Sequence, residues 1–398
     1  MPNICFYFQV HQPRRIKKYP IFNIGKDHEY FNDESQTDLN NRKVFRKVSD
    51  KCYLPANKIM LDLLRDNPEF KISYSLSGIF LEQAKEYYPE VIESFKKLVN
   101  TGQVELLSET YYHSLAALYS EDEFRSQVDM HREIIKELFN VSPKVFRNTE
   151  LIYNNHIAYL AENMGFDGII TEGVDDILGW RSPNFIYKPK GREKIKLLLK
   201  NYKLSDDIAF RFSARDWEGW PLTANKFSDW ISSHNGSGEL INLFMDYETF
   251  GEHQWEETGI FEFLKHLPKE IFKNKDNGFK TPSEIIKKYK CHGEIDVDRD
   301  ISWADVERDI SAWRSNDMQH SALNKIYSFE NAVLKSKDKE LISDWRKLQT
   351  SDHFYYMCTK WFEDGDVHTY FSPYETPYDA FISYMNIIND FKLRLQKA

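Results

Sequence analysis

Residues able to do chemistry recur in this chain at one kind of place, the carboxyl end of a short apolar run. The run Ile4 to Val10 is followed by His11, Gln12 and Pro13. The run Val104 to Leu107 contains Glu105 and continues to Ser108, Glu109 and Tyr112. Lys144 to Arg147 leads to Asn148, Thr149 and Glu150, and Gly168 to Thr171 leads to Glu172. Leu240 to Asp246 leads to Tyr247 and Glu248, then to Gly251, Glu252 and His253. Two carboxyl groups facing each other across a sugar can cleave a glycosidic bond, one attacking the anomeric carbon and the other protonating the leaving oxygen. The acid of such a pair needs a raised pKa, which a like charge or an apolar wall supplies. Asp246 and Glu248 put two like charges on one strand face, with Phe244 beside them, because alternate residues of a strand share a face.

These residues act together only if the elements bring them together. The apolar runs read as strands: Ile4 to Val10, Ile72 to Leu76, Val104 to Leu107, Lys144 to Arg147, Gly168 to Thr171, Ile208 to Phe212 and Leu240 to Asp246. Helical signals fill the gaps. Ser120 and Glu123 form a capping-box pattern ahead of a stripe of Phe124, Val128, His131, Ile135 and Leu138. Thr281, Pro282 and Glu284 give a second helix start. Strands alternating with helices imply parallel β-α units. Seven of them predict an α/β fold built as an incomplete (β/α)7 barrel, in which polar strand ends converge on one rim. A single polar residue at a strand end is ordinary, since loops face water; five such strand ends are what point to a site.

Beyond about residue 300 the strand signals stop. Met318 to Lys335, Asp338 to Leu348 and Thr376 to Leu395 read as helices. The expected organisation is a catalytic barrel over 1–300 and a C-terminal helical region over 301–398 packed on it, with no Gly/Ser-rich linker between.

Composition narrows the function classes. The 398 residues carry a net charge of -9, which argues against a nucleic-acid partner. Aromatic residues make up 15% of the chain, enough to supply flat faces for sugar rings as well as core. Cys5, Cys52, Cys291 and Cys358 are scattered without CxxC spacing, so neither a disulfide scaffold nor a zinc-cysteine site is expected. No apolar run is long enough to span a membrane, and Met1 to Val10 reads as a buried strand rather than a signal peptide. A cytoplasmic location is the expectation. No HxxxH or HxxEH pattern occurs, and neither a metal nor a cofactor is expected.

Five short segments, in order, carry a resemblance. They are His11-Gln12-Pro13; Gly102-Gln103-Val104-Glu105-Leu106; Phe146-Arg147-Asn148-Thr149-Glu150; Met245-Asp246-Tyr247-Glu248-Thr249-Phe250-Gly251-Glu252-His253; and Ser351-Asp352-His353-Phe354-Tyr355-Tyr356. In these the chain resembles family 57 of the glycoside hydrolases, the α-amylase-like group, over residues 1 to about 360. The resemblance implies an incomplete seven-stranded barrel and a retaining mechanism on α-linked glucans. It implies that Glu150 is the nucleophile and Asp246 the general acid/base. It makes His11 and Glu105 ligands of the sugar in the cleavage subsite, and Glu248 and Asp352 substrate contacts near the acid. Gln12, His253, Trp303 and Tyr355 stand as further candidate substrate contacts, Trp303 within the loop-like stretch Ile301 to Asp305. Two of the segments depart from the family pattern: in the third, Asn148 and Thr149 stand where an aromatic residue is common, and in the fifth, Tyr355 stands where some members carry Trp.

An α-1,4-glucan or maltooligosaccharide is thus the expected substrate. A 4-α-glucanotransferase would use the same intermediate, with a sugar hydroxyl in place of water. A branching enzyme fits less well, because those relatives are longer. Two readings of other classes are a metal-dependent polysaccharide deacetylase, which needs a His/Asp cluster at ligand spacing and for which His11 and His253 are free to converge in space, and a non-catalytic glucan-binding protein.

Overall fold

The run Asn3–Val10 offers no polar edge to water. In the computed structural model, which describes residues 2–35, 37–360 and 367–397, it is a strand buried at every residue. Seven longer strands carry the fold: β1 (Asn3–Val10), β2 (Ile72–Leu76), β3 (Val104–Leu106), β4 (Val145–Arg147), β5 (Gly168–Thr171), β6 (Lys196–Leu199) and β7 (Leu240–Asp246). They form two parallel sheets, one ordered β3-β2-β1-β7 and one ordered β4-β5-β6. Single backbone contacts tie the sheets together on both sides. Ser108 N donates to Val145 O at 3.0 Å and Arg147 N to Ser108 O at 2.8 Å; Asn201 N donates to Asn242 O at 2.9 Å. The fold is mixed α/β, with helices between successive strands.

The period of two along each strand sorts the core. Ile4, Phe6, Phe8 and Val10 of β1 pack outward with helix residues such as Phe45, Met60 and Phe95. Cys5 and Tyr7 point the other way, into a layer shared with Val145, Ile170, Leu198, Leu240 and Phe244 between the two sheets.

Six of the seven strands expected from sequence are present. The exception is Ile208 to Phe212, which falls on and just after the end of the helix Tyr202–Ala209. Ile208 and Phe212 are buried while Phe210 is exposed. Apolar residues four apart are a helical spacing, and the sixth strand is instead the short run Lys196–Leu199. Ser120 caps the helix Glu121–Phe139 by accepting from Glu123 N at 3.2 Å. The Glu123 side chain does not close the box; it pairs with Arg346 at 2.9 Å. The box at Thr281 and Glu284 is complete.

Residues after 300 are helical in the places expected, with one break. Met318 to Lys335 divides into Asp317–Tyr327 and Glu330–Ser336. At the break the Ser328 hydroxyl takes the Lys325 carbonyl at 2.7 Å, competing with the helical ladder. The last helix, Pro377–Leu395, buries Tyr384, Ile387, Ile388 and Phe391. These side chains share one core with Ile16, Tyr19, Phe146, Tyr153 and Trp313. No helix among the described residues is long and apolar enough to cross a membrane.

Candidate active site

The apolar layer between the sheets ends in a polar one. Continuing each strand two residues past its last inward apolar side chain reaches Gln9 beyond Tyr7, Asp246 beyond Phe244, Arg147 beyond Val145, Lys200 beyond Leu198 and Glu172 beyond Ile170. Glu109 stands two beyond Leu107 in the same way. The parity of the strands therefore delivers a ring of charge and amide groups to the carboxyl ends.

Glu150 lies three residues past β4 and joins this ring through His113, which also contacts Glu109. Its backbone is left-handed, with φ 57°, and Leu151 follows at φ 51°. Non-glycine residues enter this region at a cost of about 1–3 kcal/mol each, and such strain collects at functional sites. Three donors compensate by fixing the carboxylate. Trp303 Nε1 donates to Oε2 at 2.9 Å, and His113 Nε2 and the Ser351 hydroxyl reach Oε1 at 3.3 and 3.2 Å. The loop that brings Trp303 is held from both ends: Trp303 N donates to Glu150 O at 3.3 Å, and Arg308 pairs with Glu172 at 3.1 Å.

His113, itself at φ 51°, is suspended between two carboxylates. Its Nδ1 meets Glu109 Oε2 at 3.0 Å and its Nε2 meets Glu150. Burial works against its charge, but the two acids overcome it and push its pKa up to about 9. Glu109 is held in turn by Gln9 Nε2 at 3.0 Å, and Gln9 Oε1 accepts from Ser75 and Tyr7 at 2.7 and 2.9 Å. Burial opposes the Glu109 charge, and His113 with Arg147 outweighs it, bringing the carboxyl down to about 2.

The ring of His11 stacks on that of His113 at 3.9 Å. Two stacked imidazoles resist double protonation, and both burial and the His113 charge lower the pKa of His11. His11 Nδ1 contacts the Ser77 hydroxyl at 2.7 Å, while its Nε2 lies 3.0 Å from Asp352 Oδ2. Ser77 Oγ already accepts from Phe80 N, so its proton points to Nδ1 and the neutral ring carries its own on Nε2. Asp352 is thereby kept ionised: burial disfavours its charge, and the contact with His11 more than offsets this.

Glu150 and Asp246 are pushed in opposite directions. For Glu150 burial raises the pKa, but the hydrogen bond and charge of His113, with Arg147, leave it lowered. For Asp246 burial and then the Glu150 charge raise the pKa to about 6, against the pull of Arg147, His113 and Lys200. Such a pair holds an ionised carboxylate beside a protonated one, the state needed for nucleophilic attack coupled to acid catalysis.

The remaining sequence candidates divide. Trp303 and Asp352 join the cluster directly. Glu248 accepts from the Tyr53 hydroxyl, and burial followed by the Asp246 charge raises its pKa to about 8. Gln12 is buried, with its carbonyl accepting from Gln83 Nε2 at 2.7 Å. Tyr355 stacks on His368 at 4.4 Å. His253 connects to Glu248 through its backbone N, while its ring lies 5.2 Å from that of Phe371. Burial brings the His253 imidazole down to about 4.

Glu105 is placed elsewhere. It shares the parity of Glu109 but comes four residues earlier, about 13 Å back along the strand direction. There its carboxylate accepts from the backbone N and hydroxyl of Ser283, beside a cavity lined by Lys71, Lys144 and Thr281. A carboxylate so occupied is not in the cluster around Glu150. Among the described residues no group of three or more His, Cys, Asp or Glu side chains is arranged to hold a metal ion.

Sequence reading did not single out His113, Arg147, Gln9 or Ser351. Counting inward positions would have found Gln9 and Arg147, which share the inward parity of Glu109. His113 and Ser351 sit where no periodicity operates, and only the fold brings them to Glu150.

The architecture and this carboxylate cluster define a class, an α/β enzyme fold with paired acids at the strand ends. The chain belongs to glycosyl hydrolase family 57, whose family model matches residues 5–298. A Methanocaldococcus jannaschii protein named "Putative alpha-amylase" is 48% identical over 99% of this chain and 85% of its own length. An alpha-amylase of Pyrococcus furiosus is 26% identical over 63% of this chain, but only 38% of that protein is covered. Among solved structures, a Thermotoga maritima alpha-amylase covers 100% of this chain and 94% of its own at a TM-score of 0.65, with 12% identity. A family 57 branching enzyme of Thermococcus kodakaraensis reaches a TM-score of 0.68 at 15% identity over 90% of this chain and 86% of its own. At such identities the likeness is one of fold.

Proposed function

We propose that the chain is a retaining α-1,4-glucan hydrolase of the α-amylase type, with Glu150 as nucleophile and Asp246 as general acid/base. The observation that carries this reading is the opposed ionisation of the two acids, Glu150 held as carboxylate by Trp303, His113 and Ser351 while Asp246 stays protonated up to about pH 6. In the first step a Glu150 oxygen bonds to the anomeric carbon as the glycosidic bond breaks, and the leaving oxygen takes the proton of Asp246. In the second step Asp246, now ionised, takes a proton from water, which attacks the anomeric carbon and frees Glu150. His11, Asp352, Glu248 and Trp303 line the sugar's surroundings, and Gln12, His253 and Tyr355 are read as lying further out.

The two tied sheets are read as an incomplete (β/α)7 barrel over 1–300, with the helices of 301–398 packed on it; the shared core supports this. Four free cysteines suit a reducing cytoplasm.

A 4-α-glucanotransferase is the second reading, favoured by a Thermococcus litoralis protein of that name that is 20% identical over 63% of this chain. Product analysis on maltooligosaccharides separates the two. Hydrolysis gives only glucose and shorter oligomers, whereas transfer also gives products longer than the substrate. Absence of any product from α-glucans would overturn both.

A further inference from the structure

Arg147 is the most anomalous charge in the molecule. It is fully buried, yet no nitrogen of its guanidinium, Nε, Nη1 or Nη2, is hydrogen-bonded to a protein group. It forms no ion pair within 4.0 Å among the described residues. A buried cation without a close partner is costly, and substituting an apolar side chain of similar volume would be the simpler solution for stability. Its place in the fold suggests what the charge is for. Arg147 points inward from the end of β4, in the same polar ring that Asp246 and Glu109 join from their own strands. Its guanidinium lies 5.1 Å from the ring of Trp303, whose Nε1 is the donor to Glu150. Its charge acts on Glu150 and Asp246 alike, as well as on Glu109, His113 and Tyr7.

Resting on the reading of Glu150 and Asp246 given above, we propose that Arg147 is a positioning residue of the reaction, a fixed counter-charge for the single negative charge that the two acids exchange. Before the first step that charge is on Glu150 and the proton is on Asp246. When the Glu150 oxygen bonds to the anomeric carbon, Glu150 becomes a neutral ester, and the proton leaves Asp246 with the departing oxygen. One negative charge is present throughout, and it moves from one carboxyl to the other. A cation bonded tightly to either acid would favour one state and impede the exchange. A cation near both, hydrogen-bonded to neither, interacts with the charge in both states and needs no reorganisation.

Other groups face the pair. His113 and Asp352 act on Glu150, and Glu150, His113 and Lys200 act on Asp246, which in turn acts on Glu248. Lys200 is engaged by Asp206 at 3.0 Å and Glu172 at 3.5 Å, and His113 is tied to Glu109. Arg147 alone of these cations makes no hydrogen bond to a carboxylate.

The test compares R147M, R147Q and R147K in the pH profile of kcat/KM on maltooligosaccharides. Losing the charge disfavours both ionised acids, so both limbs of the bell should move to higher pH by on the order of one unit in R147M and R147Q. KM should change little and kcat fall, while R147K should keep both limbs near wild type. With α-D-glucosyl fluoride, whose leaving group needs no proton, the acid limb should move in the same two variants. Limbs unmoved in whichever uncharged variant folds, or moved as far in R147K, would overturn the proposal. Failure of the underlying reading would appear separately, as a wild-type enzyme that a 5-fluoro-α-glucosyl fluoride does not label on Glu150.

Discussion

His11 and His113 lie face to face, their ring centroids 3.9 Å apart and their planes 15° from parallel, but only His113 has a carboxylate at both ring nitrogens. The proton therefore belongs to His113, and His11 works as a neutral ring that donates to Asp352. Removing the charged member should weaken the hold on Glu150 as an anion. His113→Asn is expected to lower kcat on the order of 100-fold, as loss of a charge-stabilising donor does. It should also move the acid limb of the pH profile upward. The raised pKa of His113 has a second consequence: its contribution to stability is complete below 6.5 and is lost as pH rises through about 9. Thermal melts between pH 6 and 10 should show a smaller loss in His113→Asn than in wild type, the remainder being that of groups such as Glu248 that titrate in the same range.

The paired acids should fail in different ways. Glu150→Ala and Asp246→Ala are each expected to lower turnover of maltooligosaccharides by at least ~100-fold. With α-glucosyl fluoride as substrate, whose departure needs no acid, Asp246→Ala should recover its first step and Glu150→Ala should not. Equal losses on both substrates would contradict the assignment of roles. In wild type the general acid must carry its proton, so the alkaline limb should fall as pH rises through about 6, the value to which burial and the Glu150 charge raise Asp246.

Much of this site was legible in the sequence, because strand parity and strand ends are local properties. Asp246 ends an apolar run and Glu150 comes three residues after one, and their place at the strand ends follows from parallel β-α order. The failures have physical causes. Glu105 and Glu109 share a parity, and parity does not say which end of a strand a residue occupies; only the Ser283 contact fixes Glu105 at the far end. Ile208 and Phe212 are apolar at a spacing of four, which a short window confuses with a strand. Ser351 reaches Glu150 from the helical region, a contact of long sequence separation that no periodicity encodes.

Glu248 carries a stability cost that pH should expose. Its pKa is raised from 4.5 to about 8, first by burial and then by the Asp246 charge. The folded state thus binds a proton that the unfolded chain releases, so this group's contribution is full below 4.5 and is lost as pH rises through about 8. Glu248→Gln keeps an oxygen to accept from Tyr53 and removes the titration. Its melting temperature relative to wild type should rise steadily between pH 5 and 9. A constant difference across that range would show that Glu248 is not held protonated.

Glu105 should separate structure from chemistry. Its carboxylate accepts both the backbone N and the hydroxyl of Ser283, at the start of the helix Pro282–Lys288. Glu105→Ala leaves those donors without an acceptor in a mostly buried setting, a loss of about 1–3 kcal/mol. Glu105→Gln retains one acceptor oxygen and should lose less. Because Glu105 lies well away from Glu150 along the strand direction, kcat and KM on maltooligosaccharides should stay within about twofold of wild type in both variants, while the melting temperature falls further in Glu105→Ala. A loss of turnover with an unchanged melting temperature would instead place Glu105 against the sugar, as the family resemblance implied.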